Sequence, residues 1–169
     1  EPVDAFGKER ASKTVANFDQ YADEYAIESM GASSASGYTI LTTSAIQSAS
    51  TKLADFVSHK QARGFNVQVV TESQWGGGTG TSSVINIRKW LQDNYITDNI
   101  LYVLLIGEPH PETGDLAMAG NYSDFYYSNF TGNDMMWEVI AGRIPYFGVP
   151  EDLDHILQKT MDYENEVGD

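Results

Sequence analysis

The run Ile100–Gly107, ILYVLLIG, constrains the fold more than any other stretch of this chain. It is apolar without polar alternation, so both faces of the strand it forms must be covered. That is the position of a central strand in a parallel sheet with helices on either side. The neighbouring segments agree. Tyr38–Thr43 (YTILTT) reads as a buried strand, and Ser44 is placed to cap the next helix. Ile46, Ala49, Leu53, Phe56 and Val57 describe that helix as one amphipathic element that ends at Gly64. Phe65–Thr71 (FNVQVVT) is a second strand, followed by a Gly-rich loop. Ser82 or Ser83 opens a helix that carries Val84, Ile87, Trp90, Leu91 and Tyr95 on one face. After the central strand comes an irregular stretch, then Glu138–Ile144 as a fourth strand. Pro150-Glu151-Asp152 starts a last helix whose buried face is expected to be Leu153, Ile156, Leu157, Thr160 and Met161. Alternation of this kind, with right-handed crossovers, predicts an α/β fold: a mostly parallel sheet of about four strands in the order 2-1-3-4, flanked by helices.

Residues 1–36 stand apart. Ala11, Val15, Phe18, Ala22 and Tyr25 make a helical stripe within Lys8–Ser29, and Gly31–Gly37 reads as a flexible linker. The expected division is a helical segment with linker over 1–36 and an α/β unit over 37–169. The first residue is Glu1, so the expectation is a processed form or an excerpt.

Charge and composition exclude several roles. The 24 acidic against 10 basic residues give a net charge of −14, which repels phosphate backbones and anionic membranes. No apolar run reaches the roughly 20 residues of a membrane span. The chain has no cysteine, so it holds no disulfide, thiolate metal site or cysteine nucleophile.

Ligands of open α/β sheets bind beyond the carboxyl ends of the strands. Here those ends lead into Gln74–Ser83 and Gly107–Met136. The glycines 76–78 and 80 lack the following Lys of a P-loop and the spacing of a dinucleotide fingerprint, so a flexible loop is the expectation. A metal site around His110 would use Glu108, Glu112 or Asp115, but two prolines and the lack of a spaced second histidine oppose it. His59 and His155 fall on helices. Asp124, Asn129, Asn133 and Asp134 offer oxygen ligands for calcium, but without the EF-hand spacing, so turn formation is the expectation and calcium the alternative. Asn121-Tyr122-Ser123 and Asn129-Phe130-Thr131 match the glycosylation sequon, and no G-x-S-x-G nucleophile elbow occurs.

From Tyr38 onward an ordered set of motifs resembles the first subdomain of gingipain-type cysteine peptidases. The set comprises Lys60-Gln61-Ala62-Arg63-Gly64 at a helix end, Val67-Gln68-Val69, Tyr102–Glu108, Ser123-Asp124-Phe125-Tyr126-Tyr127, Gly132-Asn133-Asp134, Glu138–Pro145 with its Gly142-Arg143, and Asp162-Tyr163-Glu164. Glu108 stands where the family has Asp. The resemblance implies a caspase-like, flavodoxin-like half-domain from a secreted or cell-surface peptidase. Its catalytic His and Cys would follow Asp169 in a second subdomain, the partner of this one, and act on protein or peptide substrates. Structural roles are expected for the family-matching residues. Gly107 and Gly142 would end strands, Tyr163 and Glu164 would dock the last helix, and Arg143 would pair with Asp124 or Glu138 to hold the irregular loop around Tyr127. The competing reading is a non-catalytic module that binds protein or glycan through Tyr122, Phe125, Tyr126, Tyr127, Phe130 and Trp137. A third is a small-molecule enzyme working at the Gly-rich loop.

Overall fold

The computed structural model describes residues 35–119, 123–131 and 137–166. The helical stripe expected over Lys8–Ser29 lies outside them. Four strands, β1 (Gly37–Leu41), β2 (Asn66–Val70), β3 (Ile100–Gly107) and β4 (Ile140–Pro145), form a parallel sheet in the order β2-β1-β3-β4. This is the fold class and strand order that the sequence predicts. β3 spans the apolar run and is buried almost throughout, because it lies between β1 and β4 with packing on both faces.

Two helices replace the single one expected after β1: α1 (Ser44–Ala49) and α2 (Leu53–Ala62). The break falls at Ser50–Lys52, where Asp154 from the last helix takes over the free backbone donors. Its carboxylate accepts from Thr51 N–H at 3.0 Å, Lys52 N–H at 3.2 Å and both the Ser50 and Thr51 hydroxyls at 2.6 Å. Burial alone would raise the Asp154 pKa, but these hydrogen bonds hold it down at about 2. The cap of α1 is Thr43 rather than Ser44, whose N–H and hydroxyl instead donate to Glu72.

A short helix unforeseen in the sequence, α3 (Glu72–Trp75), follows β2. Gln74 accepts from Thr71 N–H at 3.1 Å, and the buried Trp75 donates its indole N–H to the Thr42 carbonyl at 3.2 Å. α4 (Thr81–Asn94) comes next, then α5 (Phe125–Ser128) within the irregular crossover. The last helix is α6 (Pro150–Glu166).

Two cores result. On the back of the sheet, Leu41, Val103 and Leu105 pack with Trp75, Val84, Ile87 and Leu91 and with crossover residues Leu116, Tyr127 and Phe130. On the front, Ile40, Leu104, Ile106 and Ile144 pack with Phe56 of α2 and Leu153, Leu157 and Met161 of α6. Burying side chains of this size contributes about 1.5–3 kcal/mol each. The buried line of α6 is narrower than expected: Ile156 is exposed and Thr160 only half-buried. Tyr163 does not dock the helix either, being 65% exposed. It lies off the Leu153–Leu157–Met161 line, and the docking role falls to Glu164, which accepts from Lys60 at 2.5 Å and meets the His59 ring at 2.9 Å. Burial opposes ionisation of Glu164, but the hydrogen bonds from Lys60 and His59 and the charges of Lys60 and Arg63 pull its pKa below the ordinary range.

Candidate functional site

The carboxyl end of β3 leads into the crossover to β4, which packs on the back of the sheet and forms a platform. Arg143 on β4 is its anchor. Its Nε donates to Asp124 Oδ2 at 2.9 Å and one terminal nitrogen to Asp124 Oδ1 at 2.7 Å, while the other terminal nitrogen donates to the Leu116 carbonyl at 2.6 Å. The arginine side chain is 7% exposed, and this planar, two-pronged geometry is what a lysine cannot reproduce. Beside it the buried Tyr127 hydroxyl donates to the Ala117 carbonyl, and burial pushes its pKa well above the ordinary tyrosine value.

Glu138, the other partner considered for Arg143, does different work. It accepts from the Phe130 N–H at 2.7 Å, the Thr131 N–H at 3.3 Å and the Thr131 hydroxyl. From α4, Arg88 donates to the carbonyls of Tyr126 and Asn129, each at 2.7 Å, and its guanidinium lies 3.9 Å from the Tyr126 ring centre. Arg143 of β4, Arg88 of α4 and, from within the crossover itself, Glu138 thus fix it.

The segment after β3 is held by Asp115, which folds back to accept from Glu108 N–H at 2.7 Å and Leu116 N–H at 2.8 Å. A Cβ on Gly107 would come within 2.7 Å of that carboxylate, so close approach dictates the glycine there. Gly142 is different. It sits in the middle of β4 rather than at its end, and no described atom lies within 4 Å of an added Cβ. Glu108, placed at the strand end, accepts through its carbonyl from Leu116 N–H at 3.3 Å.

His110 Nδ1 faces the N–H groups of Glu112 and Thr113, each at 3.3 Å, and so closes a turn. Asp124 spends both carboxylate oxygens on Arg143. Asn133 and Asp134, the other calcium candidates, lie outside the described residues. Among the described residues no group of three or more His, Asp or Glu could hold a metal ion. The Gly-rich loop is not an open cradle. Gly80 N–H donates to the Gly114 carbonyl at 2.9 Å, and a Cβ on Gly80 would collide with the Glu112 carbonyl. The crossover packs directly on the loop at Gly80.

The aromatic patch considered for a binding module is divided. Tyr127 and Phe130 are core residues, while Phe125, Tyr126 and Trp137 remain exposed and Tyr122 is outside the described residues. Asn129 of the second sequon is buried, with Thr131 turned onto Glu138, a poor acceptor for a glycan. His59 is committed to Glu164. The platform is therefore a polar frame held together by ion pairs and hydrogen bonds. Sequence reasoning missed Arg88 and Asp154 and read Asp115 only as a possible metal ligand; their partners are loop groups with no motif to announce them.

These observations define a four-stranded parallel α/β unit with a clamped crossover. The sequence matches peptidase family C25 over residues 32–169, and the chain belongs to that family. Two solved structures resemble it: one described as a protease, and the Arg-specific cysteine proteinase gingipain R. The first is 22% identical with a TM-score of 0.60, covering 78% of this chain and 29% of its own. Gingipain R is 23% identical with a TM-score of 0.60, covering 77% of this chain and 28% of its own. The chain thus spans under a third of either structure. No curated protein matches it.

Proposed function

We propose that this chain is the first half of the catalytic module of a secreted or surface-exposed cysteine endopeptidase, and that it serves there as a scaffold. The chemistry then resides in polypeptide following residue 169, where a thiolate attacks the peptide carbonyl and an imidazole protonates the leaving amine. The observation that carries this reading is the family match over 32–169 in a chain with no cysteine. The clamped crossover supports it, since a platform tied by Arg143, Arg88 and Glu138 offers a fixed surface but no reactive group. No helix among the described residues is long and apolar enough to cross a membrane.

The test extends the chain from its own gene through the next histidine and cysteine. The extended protein should hydrolyse peptides, and iodoacetamide should abolish that activity. An extension lacking either residue, or hydrolysis that survives alkylation, contradicts the reading.

A further inference from the structure

The two edges of the sheet are built differently. β4, at one edge, has Pro145 where an outward N–H would otherwise be, since the next N–H, that of Tyr146, donates inward to Gly107 O. β2, at the other edge, has no such guard. Asn66–Val70 (NVQVV) contains no proline, glycine or charge, and it pairs in unbroken register with β1. Asn66 N–H donates to Ser36 O, and Val70 O accepts from Thr42 N–H, so Asn66, Gln68 and Val70 turn their backbone groups to β1. The N–H and C=O groups of Val67 and Val69 therefore point away from the sheet, and among the described residues β2 pairs with β1 alone. Gln68 adds no bulk outside the edge, because its amide is drawn to Thr39 and Asp98, each at 3.1 Å. An uncharged, β-branched edge of this kind is a template for another strand.

The helix above this edge has the same character. α2 turns Leu53, Phe56 and Lys60 to the sheet, and His59 and Arg63 towards Glu164 of α6. Helical geometry then places Ala54, Ser58 and Gln61 together on the opposite flank, over the outer side of β2. All three are exposed, small or uncharged residues. The chain as a whole carries a net charge of −14. Like charge opposes the approach of two copies, and it does so least along a strip that carries none.

We infer that β2 pairs with β2 of a second copy of this chain, antiparallel across a two-fold axis at Gln68. Val67 then exchanges both hydrogen bonds with Val69 of the second copy, and symmetry repeats the exchange across the axis. The two α2 helices come alongside each other, with Ser58, midway along the helix, near the axis. An extended peptide of other origin would satisfy the strand edge and leave the α2 flank open. A second copy covers both, because edge and flank lie side by side. This pairing uses the edge remote from β4 and stands independently of the proposed peptidase function.

Sedimentation equilibrium of the 169-residue chain should show the mass rising from monomer to dimer as protomer concentration is raised to about 200 μM. Ser58→Glu, an exposed substitution that sets like charges across the axis, should weaken the dimer at least about 10-fold. Ile156→Asp, on the exposed side of α6, should leave it unchanged. The register is read by Gln68→Cys in a chain with no cysteine of its own. Residue 68 would face its symmetry mate in a non-hydrogen-bonded pair with Cα atoms about 4.5 Å apart, within disulfide reach. Under mild oxidation Gln68→Cys should link two copies at least about 10-fold faster than Ile96→Cys, an exposed site elsewhere. A chain that stays monomeric over that concentration range overturns the inference. So does a dimer that is insensitive to Ser58→Glu or is lost on Ile156→Asp, and so does equal cross-linking at positions 68 and 96. Should Gln68→Cys fail to fold, because Thr39 and Asp98 lose the amide between them, sedimentation of Ser58→Glu still decides.

Discussion

The two halves of the front face show what completion looks like in one sheet. Over β2 and β1, α2 lays Leu53 and Phe56 on the strands, and Tyr38, Phe65 and Tyr102 close the strand ends as an aromatic cluster with ring centres 5.4–6.0 Å apart. Lys60 lies over the rings of Tyr38 and Phe56 and reaches Glu164, so even the charged rim is paired. Over β4 the same face ends in Ile140, Gly142 and the uncovered stripe of α6. Apolar residues recur at helical and strand spacing in both halves; the difference is that only one half finds its partner within the described residues. A sheet edge left this bare is an aggregation hazard unless something covers it.

Substitutions across the two halves should separate them sharply. The largest loss is expected for Phe56→Ala, about 3–5 kcal/mol in chemical unfolding, because a fully buried aromatic leaves a cavity in the finished half. Arg143→Lys should follow at about 2–4 kcal/mol, since Asp124 keeps its charge while losing the two-pronged partner and the Leu116 carbonyl loses its donor. If Arg143→Lys is neutral, the crossover is not held as described.

Asp154→Ala should cost about 1–3 kcal/mol by freeing the donors at the start of α2. Its pH signature has a definite sign. The folded-state pKa of about 2 lies below the unfolded value, so the contribution is complete above roughly pH 5 and is lost as pH falls towards 2. Melting temperatures taken from about pH 6 to about pH 2 should therefore fall more steeply for the parent chain than for Asp154→Ala. The smallest effect belongs to the bare half: Ile156→Asp should change the stability of the 169-residue chain by less than about 0.5 kcal/mol. A loss of several kcal/mol there would mean that the stripe is covered within this chain.

Local pattern was enough for most of the fold. The unbroken apolar run of β3 announces a central strand, and the helix that begins at Pro150 is set by its proline and first-turn acids. The break between α1 and α2 was not legible, because Asp154 makes it from about a hundred residues downstream. The helix α3 did carry a signal in Thr71-Glu72-Ser73-Gln74, the spacing of a capping box, which the adjacent glycines masked. Periodicity alone makes α6 one wide buried face, because it records apolarity and not which partner is present. At the platform, Arg143 was readable as one half of an ion pair, with Asp124 and Glu138 both open as its partner; the structure selects Asp124. Asp115 and Arg88 were not, since a side chain that grips carbonyls and N–H groups of an irregular loop leaves no spacing rule behind.

The most direct measurement is mass-spectrometric analysis of a diverse peptide library incubated with the purified 169-residue chain. A scaffold that holds neither thiol nor base in reach of a substrate leaves every peptide intact. Cleavage products that accumulate with chain concentration, and persist after iodoacetamide treatment, would show that these residues carry a reactive centre of their own.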